Sequence, residues 1–255
     1  KITKDHIVLR ELTLGVGDTL TGPKDERILR SQENLMNTAL FNSVEIKDSL
    51  INNRHGIVVK LQERWYIWPQ PILEHADRNL NAFLDAKQWD RINYGIHLVW
   101  VNFRGRREQL NLKLRWGFNR ELGIEYGAPF LNKKKTFGLG GFFKYNALRE
   151  MPVATNLNNQ RVFFESSGTG YQSYRAALSM AYRPKFWQHL STTLMWQGIA
   201  LEDSLALLFP ELLGNGDQTA NILTAAISLR HDRRDYQPYP WNGYMLSTGI
   251  IRQGS

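Results

Sequence analysis

The sequence predicts a small α+β unit followed by an antiparallel β-barrel that crosses a membrane with strands. Three observations carry this: a strand–helix–strand–strand pattern before residue 67, a long alternating hairpin at 92–118, and further alternating segments to the chain end. The hairpin is the clearest. Ile92, Tyr94, Ile96, Leu98 and Trp100 alternate with Asn93, Gly95, His97, Val99 and Val101; Leu110, Leu112, Leu114, Trp116 and Phe118 alternate with Asn111, Lys113, Arg115 and Gly117. A period of two puts one apolar row and one mostly polar row on opposite faces. Two readings compete: a soluble sandwich or lipid-binding barrel buries the apolar row, whereas a membrane barrel turns it to lipid. Strands of about 10 residues can cross a bilayer at a tilt, and Tyr94, Trp100, Trp116 and Phe118 fall where membrane barrels carry aromatic girdles. Strand length and girdle favour the membrane.

Composition agrees. Mean hydropathy is −0.41, and no apolar run approaches the ~20 residues of a spanning helix. Aromatic residues are plentiful, with 8 Trp, 10 Tyr and 12 Phe. The absence of Cys excludes disulfides and thiolate metal sites. A formal charge of +8 permits acidic lipid or nucleic acid as a partner; a basic pore lining with solvated loops accounts for it more simply, and no nucleic-acid-binding motif is present. Lys1-Ile2-Thr3-Lys4 is not a signal peptide, so the numbering is expected to begin inside a mature or trimmed protein.

In order along the chain, His6–Leu14 reads as a strand closed by Gly15-Val16-Gly17-Asp18. A helix is expected from Pro23 and Asp25 to about Leu40, with Ile28, Leu29, Leu35 and Met36 at helical spacing. A second strand begins at Phe41, Val44 and Ile46, and a third covers Ile57–Tyr66. Residues 1–67 thus form one helix-covered three-stranded unit. Across 68–91 the prolines of Trp68-Pro69-Gln70-Pro71 break the ladder pattern, which predicts a linker with a short helix at Leu73–Ala86. From 92 to 255, roughly eight or nine strands are expected, including a weak one near Gln160–Glu165. Leu205–Pro210 does not alternate and reads as a short interfacial helix or a loop folded into the lumen.

The order of these segments and several motifs resemble the BamA/TamA-type outer-membrane assembly superfamily, a POTRA domain ahead of a transmembrane barrel. Asn34–Ile46 resembles the POTRA helix–Phe–Val strand junction, and Val58–Arg64 its closing strand. Arg230-His231-Asp232-Arg233-Arg234-Asp235 with Pro240-Trp241-Asn242-Gly243 resembles the family's Asp-x-Arg-Asp…Pro-x-x-Gly hairpin, in which Asp232, Arg234, Asp235, Pro240 and Gly243 are the motif positions. Glu63–Pro69 with Asp77-Arg78-Asn79 and Asn93-Tyr94-Gly95 resembles the short-POTRA branch. The family's Val-Arg-Gly-Phe/Tyr lumen motif is not found here, since Phe103-Arg104-Gly105-Arg106 sits in the first hairpin. The strands fall short of a family barrel, so the C-terminal half is expected to lie outside this chain: an open edge in lipid leaves backbone groups unsatisfied.

The resemblance implies an outer-membrane protein of a Gram-negative bacterium with its POTRA-like domain in the periplasm, promoting insertion, assembly or translocation of other outer-membrane or surface proteins. Its partners would be outer-membrane lipids, unfolded client proteins and periplasmic or lipoprotein subunits, not nucleic acid, and no cofactor is implied. Clients would add as strands at the first barrel strand, Ile92, Tyr94, Ile96, Leu98 and Trp100, with Gly95 weakening its pairing, and at the POTRA edges, Val44, Ile46, Val58 and Val59. The alternative is a passive pore or structural barrel subunit, its lumen lined by Lys113, Arg115, Lys144 and Arg175. Enzymatic chemistry is not expected: the six histidines lack ligand spacing, Gly138-Leu139-Gly140-Gly141 is not followed by the Lys-Ser/Thr of a phosphate loop, and no nucleophile elbow occurs. The charges of His231–Asp235 read as a paired hairpin end rather than a catalytic cluster.

Overall fold

A computed structural model describes residues 2–19, 22, 25–51, 54–76, 89–132, 134, 136–185, 187–214, 216–234 and 240–254. The chain forms two compact units, residues 1–68 with 100–109, and residues 69–99 with 110–255.

The first unit contains helices α1 (Asp5–Glu11) and α2 (Glu26–Asn37) and the antiparallel pair β1 (Phe41–Ile51) and β2 (Arg54–Glu63). The strand expected at His6–Leu14 is instead helix α1. Ile7, Val8 and Glu11 are buried while Leu9 is 64% exposed; spacings of one and four residues define a helical face, and packing on α2 overrides the β-propensity of the segment. Helix α2 starts where Asp25 accepts the Arg27 N–H at 3.0 Å, a capping interaction that satisfies one orphan donor. It turns Ile28, Ser31 and Leu35 inward, and just past its C-cap Thr38 the chain turns at Ala39, whose φ of 58° is left-handed. Leu35, Leu40, Phe41, Val44 and Ile46 form the core.

A buried chain of hydrogen bonds closes this unit. The Tyr66 hydroxyl donates to the Leu40 carbonyl at 2.9 Å, Thr3 Oγ1 lies 3.0 Å from Tyr66 Oη, Asn102 Nδ2 donates to Thr3 Oγ1 at 2.8 Å, and the Arg107 N–H donates to Asn102 Oδ1 at 2.8 Å. Glu63 accepts N–H groups from Ile2 at 2.8 Å and Thr3 at 2.6 Å. Burial pushes the Glu63 carboxyl up, but the bonds from Thr3 and Ile2 outweigh it and hold its pKa below the ordinary carboxylate value. The Asn102–Arg107 turn fits against the N-terminal segment at Gly105: its φ is 73°, and a Cβ there would lie 2.1 Å from the Ile2 carbonyl oxygen.

The second unit is dominated by one nine-stranded sheet. Its strands are β3 (Ile67–His75), β4 (Ile92–Phe103), β5 (Glu108–Gly117), β6 (Arg120–Ala128), β7 (Phe137–Leu148), β10 (Tyr171–Tyr182), β11 (Gln188–Leu201), β12 (Thr219–Asp232) and β13 (Met245–Gly254). They lie in the order β13-β12-β11-β10-β7-β6-β5-β4-β3; the first residues of β3 and the β4–β5 turn are assigned to the first unit. The sheet does not close on itself among the described residues. Two expectations fail here. The linker begins as a strand, β3, which takes in Leu73–His75 of the expected helix, and 77–86 of that helix lie outside the described residues. The weak strand near Gln160–Glu165 exists as β9 (Arg161–Glu165), but it pairs with β8 (Glu150–Thr155) in a separate hairpin instead of joining the sheet.

That hairpin packs with the non-alternating segment. Helix α3 (Asp203–Leu208) buries Leu205 and Ala206 with Leu201, against Met151, Val153, Phe164 and Phe209. At the hairpin base, Arg91 Nη1 donates to Glu165 at 2.8 Å and Nη2 to Glu150, with the guanidinium 4.3 Å above the Phe118 ring.

Candidate strand-addition edge

The ladder registers align one continuous apolar face. Phe143, Ala176, Trp196 and Leu223 form one row across β7, β10, β11 and β12; Leu139, Met180, Thr192 and Ile227 form another. This face is open: Leu178 and Leu194 are each 53% exposed, and Leu223 60%. Aromatic pairs stand towards both ends, Phe137 with Tyr182 at 4.7 Å and Tyr145 with Tyr174 at 4.9 Å. Eight residues separate Phe137 from Tyr145, about 26 Å along a strand, comparable with the apolar band of a membrane barrel. An apolar surface this extensive marks an interaction with lipid or protein.

The opposite face is polar and ion-paired. Lys113 Nζ lies 2.9 Å from Glu121, Arg115 3.3 Å from Glu121 and 3.4 Å from Glu74, and Lys144 3.7 Å from Glu125. Arg175 stands opposite Lys144 in the β7–β10 ladder. The expected cation-lined surface is therefore a mixed one: Lys113, Arg115 and Lys144 are offset by the carboxylates of Glu74, Glu121 and Glu125.

The expected client edge shifts as well. Ile92, Tyr94, Ile96, Leu98 and Trp100 belong to β4, which lies inside the sheet between β3 and β5. Gly95 makes room for a close β4–β5 approach, since a Cβ there would lie 2.0 Å from the Leu114 carbonyl oxygen. Val44 and Ile46 are core residues opposite Leu61 and Val59, and Val58 stands opposite Lys47. Gln32 of α2 donates to the Val44 carbonyl at 2.8 Å, so one backbone acceptor of β1 is already occupied.

The outer strand on this side of the sheet is β3, and its prolines explain why. The Val101 N–H donates to the Tyr66 carbonyl at 2.8 Å, and the Ala76 N–H to the Arg91 carbonyl at 2.8 Å. Both contacts fit one antiparallel register, in which even-numbered residues of β3 direct their backbone groups towards β4. Pro69 and Pro71 are odd-numbered, so their missing N–H groups cost the sheet nothing, as expected only of an edge strand. Along the outer edge they leave carbonyls without donors, while Ile67, Leu73 and His75 retain their N–H groups. Leu73 is 80% exposed. The signal was present in the sequence as two prolines spaced by two residues, a spacing that keeps both on one side of a strand.

The Asp-x-Arg-Asp…Pro-x-x-Gly segment forms the connection between β12 and β13. Arg234 grips Asp232 through Nε at 2.9 Å and Nη2 at 2.8 Å. The Arg233 N–H donates to the Tyr244 carbonyl at 2.9 Å. Gly243 has φ of 100° and would place a Cβ 2.2 Å from the Arg233 carbonyl oxygen, so glycine is required there. Pro240 is exposed, and Asp235 lies outside the described residues. No three or more His, Asp or Glu side chains converge as a metal site among the described residues.

No family model and no curated protein matches the chain. Solved structures do. The crystal structure of BamA from Haemophilus ducreyi lacking POTRA domains 1-3 matches with a TM-score of 0.55 at 13% identity, covering 98% of this chain and 46% of that chain. CdiB from Acinetobacter baumannii matches with a TM-score of 0.51 at 12% identity, covering 99% of this chain and 44% of that one. The chain shares their fold and spans less than half the length of either.

Proposed function

We propose that this chain is part of an outer-membrane β-barrel protein that assists insertion, assembly or secretion of other outer-membrane or surface proteins, with incoming strands adding at the outer edge of β3. The observation that carries the reading is that β3 is an edge strand, among the described residues, of a sheet whose exposed face is apolar, in a fold shared with BamA and CdiB. Strand addition supplies main-chain hydrogen bonds regardless of client sequence. Pro69 and Pro71 keep the edge incompletely satisfied, so a strand resting there can be exchanged. The first unit, reading as a POTRA-like domain, would hold unfolded clients or partner subunits in the periplasm. The paired carboxylates of the polar face favour this reading over a passive anion pore.

The test is site-specific photocrosslinking in vesicles, with the crosslinking residue at Leu73 on the β3 edge or at Leu112 within the sheet. An unfolded outer-membrane protein should form an adduct from position 73 and not from 112. Absence of adducts at 73, or equal yields at both positions, would sink the proposal. Pro69→Ala with Pro71→Ala restores two edge donors and should lengthen client residence at the edge.

A further inference from the structure

The two ends of the sheet differ in charge. At one end, the described residues of the connections 129–136, 183–187 and 233–244 include Lys134, Arg183, Lys185, Arg233 and Arg234 and no Asp or Glu. At the other, the 149–170 and 202–218 connections contain Glu150, Glu165, Glu202, Asp203, Glu211 and Asp217 against Arg149 and Arg161. Lys134, Lys185 and Arg233 are exposed, whereas Arg234 is held by Asp232.

Aromatic rings stand beside these cations. The Arg233 guanidinium lies 4.3 Å above the Trp187 ring, and Lys185 Nζ lies 5.8 Å from the same ring. His231 and Tyr244 stack at 5.7 Å with an interplanar angle of 1°, and the Phe137–Tyr182 pair marks the adjoining end of the apolar face. Rings with one polar edge settle at the boundary between hydrocarbon and headgroups. Cations just beyond that boundary meet the phosphates of anionic lipids.

We infer that Lys134, Lys185 and Arg233, with Trp187, form a headgroup site for anionic phospholipids of one leaflet. The inference rests on the reading that the apolar face lies in lipid. Charge complementarity and continuity with that face select a phospholipid as the occupant. The acidic opposite end gives the sheet a polarity, so that only one end engages an anionic leaflet in this way.

The full chain is folded into neutral phosphatidylcholine vesicles containing a minor fraction of brominated phosphatidylglycerol or, separately, brominated phosphatidylcholine, and tryptophan quenching is compared. Quenching by the anionic lipid should exceed that by the neutral lipid by about twofold or more, and about 0.5 M salt should diminish the excess. The Lys134→Gln/Lys185→Gln/Arg233→Gln variant should lose the excess, and the charge-preserving Lys134→Arg/Lys185→Arg/Arg233→Lys variant should retain it. Equal quenching by the two lipids, or an excess that survives the glutamine variant, would overturn the site. Quenching by neither lipid would instead overturn the reading of the apolar face.

Discussion

The two units apply one alternating code in opposite directions. In the first, the alternating Val44 and Ile46 of β1 point inward, 5% and 9% exposed. In the second, Leu178, Leu194, Leu223 and Ile227 point outward, while Glu121, Arg115 and Lys113 pair across the other face. The difference teaches that alternation alone specifies a two-faced strand, and that the surrounding solvent decides which face is the inside.

Substitutions can break this contrast. Leu35→Ala should cost about 2–5 kcal/mol, the price of a cavity in a packed core, measured as reduced urea stability of the first unit by tryptophan fluorescence. Leu178→Arg should cost about 2–4 kcal/mol for a protein folded in vesicles if that face meets hydrocarbon, read from unfolding titrations in the bilayer. A value near zero would return the face to water.

Gly105→Ala should destabilise the first unit by about 1–3 kcal/mol through a strained backbone and the clash with the Ile2 carbonyl, measured as faster proteolysis of the N-terminal segment. Lowering the pH should loosen the same segment. Because Glu63 has a lower pKa folded than unfolded, its contribution is full above the unfolded value and is lost as pH falls through the folded one. Protection of the Ile2 and Thr3 amides, measured against the intrinsic exchange rate at each pH, should therefore fall below the ordinary carboxylate range in the native chain and lose most of that dependence in Glu63→Gln. The smallest effect is expected for Glu121→Gln. Arg115 keeps Glu74, so a loss of about 1 kcal/mol is expected in the unfolding titration.

The sequence made legible those features whose signal is local and periodic. The β4–β5 hairpin, the helix carrying Ile28, Leu29, Leu35 and Met36, and the strand succession after residue 92 all announce themselves by spacing. The misread segments are those where tertiary partners decide. His6–Leu14 has β-branched and alternating residues, yet α2 and the Asn102–Arg107 turn provide a surface that fits a helix. Ile67–His75 looked broken because proline cannot serve a central strand, and that rule is silent about an edge. Arg91, Glu150 and Glu165 could not be joined from sequence, since 59 and 74 residues separate the partners.

The prolines of β3 also impose a direction in time. A strand pairing with this edge meets an N–H at Leu73 and none at Pro71 or Pro69, so the Leu73 end is where contact can nucleate. Towards Ile67 the ladder must advance across two positions that return one bond instead of two. Pairing there closes late and opens early. An edge built in this way behaves as a one-way zip, fastening from the Leu73 end and fraying from the other.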